Sequence, residues 1–407
     1  MGAKKIKLSE PVVIAQNTTE AILWGGWQLP DIRCDEEKNL FVKFHGRKDS
    51  IDTIGQDAKD PVYKSTDGGE TWEISDKMSW MKAAPKLPNG DSFAFGEMPL
   101  IKGITSVPET GDNRALYYNP LAYTIDEINE SGIARIEKQF KCYRVYAGSD
   151  EVKEETCNIK WDKMSVLYNV KGQYLYMISP TCGYRVDKNG VMWMTAYSAG
   201  FDEDNRLLTN KNCSNIFRSD DFGHNWEHVH TVVYKDEYNH PNSKAVEGFN
   251  ETAMEILDDG TIFIVLRTGS IHPVDISTDE NPMPMLYYVK STDGGKTWTE
   301  PEKFYDYGVR PRSAKLPDGT VVFVSGRPGI YLRFCSDLKG EEWSEPQYIM
   351  TVPEDEKYNA YFEYSCYNTN LCVYDKNTII LAYSDFQRTA PDGKRAKSIM
   401  AVKITID

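Results

Sequence analysis

Six stretches of the chain carry apolar or alternating runs on either side of a sharp turn. They are DIRCDEEKNLFVKFHG from Asp31, APKLPNGDSFAFG from Ala84, GYRVDKNGVMWMTAYS from Gly183, MEILDDGTIFIVLRTG from Met254, SAKLPDGTVVFVSGRPG from Ser313 and LCVYDKNTIILAYSD from Leu371. Each sets Asn-Gly, Asp-Gly or a close substitute between its two runs, which is the signal of a β-hairpin. A second pattern, Ser-x-Asp-x-Gly-x-x-Trp, occurs at Ser65–Trp72, Ser219–Trp226 and Ser291–Trp298. A degraded copy is SDLKGEEW at Ser336–Trp343, with Leu338 at the Asp position. The patterns interleave, so an inner hairpin is followed by an outer hairpin whose turn is the box. Four strands per unit, six times over, predict an all-β fold, a six-bladed β-propeller, because radial repetition leaves few exposed sheet edges.

The chain is read as a single propeller domain over residues 1–407. The interval from the first box to the second is the longest, and it must hold a whole blade and an insertion, expected around 102–182. A short helix is expected around Ile125–Glu137. Long insertions sit in loops, where function also concentrates. KIKLSEPVVIAQ at the start and KRAKSIMAVKITID at the end both alternate as strands, so one of them should complete the last blade. Within each box, Asp can accept N–H bonds of its own turn, Gly can take a positive φ, and Trp can pack beneath the hairpin. That makes the boxes structural staples.

The boxes resemble the Asp-boxes, or BNR repeats, of the sialidase superfamily, and the resemblance spans the chain outside the insertion. It implies a fold more strongly than an activity, since one fold hosts many functions. The resemblance further implies a tyrosine nucleophile, a glutamate that activates it, an aspartic acid as acid/base, and three arginines that hold the sugar carboxylate. NETAMEILDDGTIFIVLRTG is similar to the family's hairpin, so Glu251 is expected as the base and Arg267 as one arginine. Tyr364, in EYSCYNTNLCVYD, resembles the nucleophile, and Arg327, just before the fourth box, the third arginine. Asp52 lies where the family's acid/base sits, with Asp57 and Asp60 as competitors. The family's first arginine lies in Tyr/Phe-Arg-Ile-Pro. Here the stretch is WQLP, and Gln28 keeps a donor but loses the charge and the fork that grips a carboxylate. Arg33, five residues on, should face the other side of a regular strand.

Tyrosine, with a free pKa of about 10, needs a base within hydrogen-bond reach to act as a nucleophile. Its advantage is that a neutral phenol can approach an anionic sugar that would repel a carboxylate. The expected substrate is therefore an acidic or modified terminal sugar, cleaved by an exo-acting, retaining glycoside hydrolase. Arg267 and Arg327 would bind its anion, with Gln28 as a weaker contact. Arg310 and Arg312, flanking Pro311, either reach the central cavity or are surface charges. Two alternatives share the scaffold: a lyase acting on uronic-acid polysaccharides, with Tyr364 or a histidine as base, and a glycan-binding propeller without catalysis.

Composition narrows the partners. Aromatics make up 12% of the 407 residues, which suits strands and sugar-stacking surfaces, and Trp24 and Trp27 are either stacking or core residues. The formal charge of −14 argues against nucleic acid and against an acidic membrane surface. The eight cysteines form no CxxC pair and read as reduced thiols. His228, His230 and His240 lack a recognised metal-ligand spacing, so no metal or cofactor is expected. MGAKKIKLSEPVVIAQ lacks an apolar signal region, which gives a cytoplasmic expectation.

Overall fold

The computed structural model describes residues 4–17, 24–46, 60–96, 100–116, 120–176, 180, 182–238, 246–269, 285–335, 337, 339–353 and 363–407. The first sheet runs Asp31–Cys34, Leu40–Lys43, Val62–Ser65, Glu73–Ser75, each strand antiparallel to the next. Two later sheets repeat this order. One holds Thr252–Ile256, Ile262–Arg267, Leu286–Ser291 and Glu302–Tyr305; the other holds Val309–Lys315, Val321–Gly326, Ile330–Cys335 and Gln347–Met350. The last sheet combines both chain ends: Arg395–Ile406 pairs with Thr378–Thr389 on one side and with Ile6–Leu8 and Val12–Gln16 on the other.

A seven-stranded sheet lies between these. Ser92–Phe95, Gln139–Val145 and Lys153–Lys160 form an antiparallel trio. Lys153–Lys160 then joins in parallel to Asn225–Val232, the last strand of Tyr184–Val186, Met192–Ser198, Cys213–Ser219 and Asn225–Val232. The stretch expected as one insertion is therefore divided, because residues 139–160 are strands of this sheet. The remaining pieces meet in an accessory antiparallel sheet of Leu100–Lys102, Tyr174–Tyr176, Ser165–Asn169 and Leu121–Thr124. The expected helix is shorter, Ile125–Glu130, started by a Thr124/Glu127 capping box. A second short helix, Lys77–Lys82, was not expected; Asp76 caps it. Neither is long and apolar enough to cross a membrane.

First strands of successive sheets are neighbours. Tyr184–Val186 lies beside Thr252–Ile256, then come Val309–Lys315, Asn370–Asp375 and finally Asp31–Cys34, so the last sheet meets the first. Sheets stacked in this way bury both faces, which explains why Val321–Gly326 is buried at every position and reads as a continuous apolar run. The apolar clusters accordingly lie between sheets: Leu332 and Phe334 pack with Leu381 and Val402, and Ile216 packs with Met254 and Ile264.

The boxes fasten sheet to sheet. In the first, Asp67 accepts N–H groups of Glu70 and Thr71, Ser65 accepts the N–H of Gly69, and Trp72 Nε1 donates to Gly69 O at 3.1 Å. The boxes at Ser219 and Ser291 repeat the Ser-to-Gly and Trp-to-Gly bonds. The fourth shifts by one residue. Asp337, not position 338, accepts the N–H groups of Lys339, Gly340, Glu341 and Glu342, while Trp343 still donates to Gly340 O. The glycine of each of the three later boxes abuts an aromatic ring of the preceding strand group: Gly223 meets Phe93, Gly295 meets Trp193 and Gly340 meets Phe263.

Gly295 combines a φ of 83° with this contact, since a Cβ there would lie 2.7 Å from Trp193 Cζ3. Its neighbour Gly294 has a φ of 74° and open space around it. Gly295→Ala should therefore cost about 2–4 kcal/mol, from backbone strain plus overpacking, and Gly294→Ala only about 1–2 kcal/mol from strain. Denaturant unfolding of the two variants checks this; equal losses would contradict the docking role.

Candidate active site

The hairpin from Asn250 to Arg267 carries the charged pair at its open end. Arg267 N–H donates to Glu251 O at 3.0 Å, and Asn250 N–H donates to Arg267 O at 2.9 Å, so the two residues lie opposite one another. Directly opposed residues share a face of the sheet. Arg267 Nη1 accordingly donates to Glu251 Oε2 at 2.6 Å, and the two side chains are 16% and 22% exposed. The same oxygen accepts the main-chain N–H of Arg310 at 3.0 Å, from the next sheet. Asn250 Nδ2 braces the turn by donating to Glu247 Oε2 at 2.7 Å. Burial pushes the Glu251 pKa up, but the charge of Arg267, the charge of Arg310, the Arg267 hydrogen bond and Arg312 together outweigh it and hold the carboxyl below its ordinary value.

Arg310 and Arg312 belong to this centre. The strand pairing slips between Val309 and Arg312, and Arg310 takes a φ of 40°. Arg312 is 8% exposed and donates to Thr252 O at 3.3 Å and Pro311 O at 2.9 Å. Burial, and then the neighbouring charge of Arg310, lower its pKa, against the opposing pull of Cys182, Glu251 and Asp31. Arg185 crosses between three sheets: it donates to Glu255 Oε1 at 2.8 Å and to Ser313 O at 2.9 Å from its own strand Tyr184–Val186. Thr195 and Thr252 hydroxyls meet at 2.5 Å, which joins the strand of Tyr197 to the strand that Glu251 opens. Burial, then Glu251 and Glu247, raise the Tyr197 pKa. Tyr197, Arg185 and Glu247 were not singled out from the sequence. The one signal was a polar end, Thr195 to Ser198, on an otherwise apolar strand.

The other expected residues fall into two groups. Tyr364 is half-buried and its carbonyl accepts the N–H of Phe386 at 2.8 Å. Arg327, with a φ of 56°, sets its guanidinium 6.0 Å from the ring of Tyr367, whose pKa is raised by burial and by Tyr364 against the pull of Arg327. Gly326 pairs with Val309 and abuts Tyr367, so this group adjoins the strand that brings Arg310 to Glu251. Among the described residues, the hydrogen bonds of the Glu251 side chain go to Arg267 and Arg310, and the expected bond to Tyr364 is not made.

Gln28 was expected as a weaker third anion contact. It is fully buried, and its Nε2 donates to Gly25 O at 2.5 Å, so the amide is turned into the protein. The main-chain carbonyl of Gln28 accepts His45 N–H, and His45 Nε2 lies 3.4 Å from Asp60 Oδ2. Asp52 and Asp57 lie outside the described residues. The guanidinium of Arg33 stacks 3.3 Å from the ring centre of Trp80. His228 and His230 stack on Trp161 and Trp298, and burial lowers both pKa values. All eight cysteines are free thiols.

No protein-family model and no curated protein matches the chain. Solved structures do. A protein of unknown function from Dyadobacter fermentans is 16% identical, with a TM-score of 0.60 and 99% of each chain covered. The Hadza microbial sialidase Hz136 is 14% identical, with a TM-score of 0.51 over 92% of this chain and 65% of that one. An α-L-arabinanase of Penicillium chrysogenum, solved with arabinobiose, is 13% identical, with a TM-score of 0.50 over 97% and 98%. At these identities the likeness shows the fold, the propeller type that these glycoside hydrolases share.

The Glu251–Arg267 pair makes a pH-dependent prediction. A lowered carboxyl pKa stabilises the fold above the unfolded value of about 4.3 and the contribution is lost as pH falls through the folded value. Arg267→Met removes the main opposing charge but leaves the burial, so the Glu251 pKa moves up. The variant should be less stable by about 1–3 kcal/mol at neutral pH, with the gap narrowing towards pH 3. Unfolding curves across that range test it, and a gap independent of pH would contradict it.

Proposed function

We propose that this protein is a single-domain, six-bladed propeller and an exo-acting, retaining glycoside hydrolase of sialidase type, acting on an acidic or modified terminal sugar. The observation that carries this reading is Glu251, a carboxylate held ionised by Arg267 among further arginines. Tyr364 is the nucleophile and attacks the anomeric carbon. Its proton passes to Glu251, whose Oε1 carries no hydrogen bond among the described residues. Asp52 protonates the leaving oxygen, then takes a proton from the water that cleaves the glycosyl-tyrosine, and Glu251 returns its proton to the released Tyr364 phenolate, which restores all three groups. Tyrosine is a known departure from the usual carboxylate pair of glycosidases. Substrate binding must draw Tyr364 and Glu251 into hydrogen-bond reach, as catalytic contacts often tighten only in the complex. Arg327, beside Tyr367, borders the anion.

A second reading is a glycan-binding propeller without turnover. It is favoured by the bonds of Glu251, which go to Arg267 and Arg310 and not to Tyr364. Aryl glycosides separate the two. A panel of an α-sialoside, α- and β-uronides and neutral sugars should show release from an acidic sugar. Tyr364→Phe should lower kcat by about a thousandfold or more without unfolding the protein. Full activity in that variant would remove Tyr364 as nucleophile. Sugar binding with no release from any substrate would favour the binding module, and unsaturated, ultraviolet-absorbing products a lyase.

A further inference from the structure

We propose that Arg310, backed by Arg312, is the residue that selects an anionic group on the ligand, in place of the contact that Gln28 does not make. This deepens the carbohydrate reading above and rests on it for the class of ligand. The first argument is charge balance. Arg267 is neutralised by Glu251 at 2.6 Å and Arg185 by Glu255 at 2.8 Å. The hydrogen bonds of Arg312 go to carbonyl oxygens, with Glu251 and Asp31 acting on it at longer range, and the guanidinium of Arg310 makes no hydrogen bond or ion pair among the described residues. Arg310 and Arg312 thus share the charge of Glu251, which is already paired with Arg267, and neither has an ion pair of its own among the described residues. A buried or half-buried cation without an ion pair of its own is unfavourable, and an anionic ligand would supply the missing partner.

The second argument is the backbone. A φ of 40° is uncommon for a side chain with a Cβ and is strained. Here it is held by the N–H bond to Glu251 and by the slipped pairing between Val309 and Arg312. The result fixes Arg310 at the start of its strand, in contact with the base, while Arg312 sits two residues deeper. The third argument is exclusion. Gln28 is fully buried with its Nε2 on Gly25 O, so that N–H is already used at that position. A guanidinium fork suits a planar carboxylate, and also the oxygens of a sulfate ester, so the shared chemistry is an anionic oxygen group on a sugar.

Calorimetric titration tests this without turnover. The probes are D-glucuronate, N-acetylneuraminate, glucose 6-sulfate and glucose, against wild type, Arg310→Asn and Arg310→Lys. Asn tolerates the left-handed backbone and keeps the N–H on Glu251, and Arg310→Gly serves if Asn does not fold. Wild type should prefer at least one charged sugar over glucose. Arg310→Asn should reduce that preference about 10- to 100-fold, with partial recovery in Arg310→Lys. Tighter binding of a carboxylate or of the sulfate identifies the source of the anion, and either supports the proposal. Undiminished preference in Arg310→Asn and Arg310→Gly would overturn it, as would a wild type that binds none of the four or binds glucose equally well. Charge selection without cleavage of aryl glycosides would leave this proposal standing and remove the catalytic one.

Discussion

One oxygen, Glu251 Oε2, joins two sheets. It accepts the guanidinium of Arg267 from its own hairpin and the main-chain N–H of Arg310 from the next sheet. Both partners favour the ionised form, and together with Arg312 they overcome a burial that by itself favours the protonated acid. The bond also fixes the start of the strand Val309–Lys315, where the backbone leaves regular geometry. The arrangement of charge at the centre follows from this contact: one arginine is spent on the carboxylate, one is pinned through its backbone, and one is buried beneath.

That centre is held still by features far from it. Box glycines admit the aromatic rings Trp193 and Phe263 from the neighbouring sheet, which sets the distance between consecutive sheets. The strand Arg395–Ile406, taking Ile6–Leu8 and Val12–Gln16 along its outer side, ties the beginning of the chain to its end. Arg185 adds a polar tie across the inner strands through Glu255 and Ser313. A rigid surround matters because charged groups a few ångströms apart can shape a ligand's site only if their separations persist.

The hairpins were legible because turn residues and alternating runs are local signals, and the structure pairs strands in five of the six, with a single bridge, Lys86 to Ser92, in the one from Ala84. Glu251 and Arg267 were legible because both close one hairpin, so sequence spacing sets their pairing. The fourth box misled at one position: the pattern looked for Asp at 338, but Asp337 reaches the same N–H groups through a turn one residue longer. The insertion was read as continuous because strand pairing between Ser92–Phe95 and Gln139–Val145 spans an excursion that no local pattern marks. Gln28 could be seen to lack a charge, but not to be buried. Arg310 was visible as a cation, whereas its main-chain bond to Glu251 depends on a slipped register that sequence does not encode in any one residue. Tyr197 reaches the centre only through the contact of Thr195 with Thr252, a meeting of two sheets.

These features gather Arg267, Arg310 and Arg312 around an ionised carboxylate that is already satisfied on one side. On the proposal above, the ligand brings its own negative charge and leaves the Glu251–Arg267 pair in place. The most direct measurement is a crystal structure of the protein with an acidic monosaccharide bound. The account predicts its anionic oxygens within hydrogen-bond distance of the Arg310 guanidinium, with the Glu251–Arg267 pair unbroken. An acid group seated on Arg267 with Glu251 displaced, or a sugar bound away from Arg310 altogether, would contradict it.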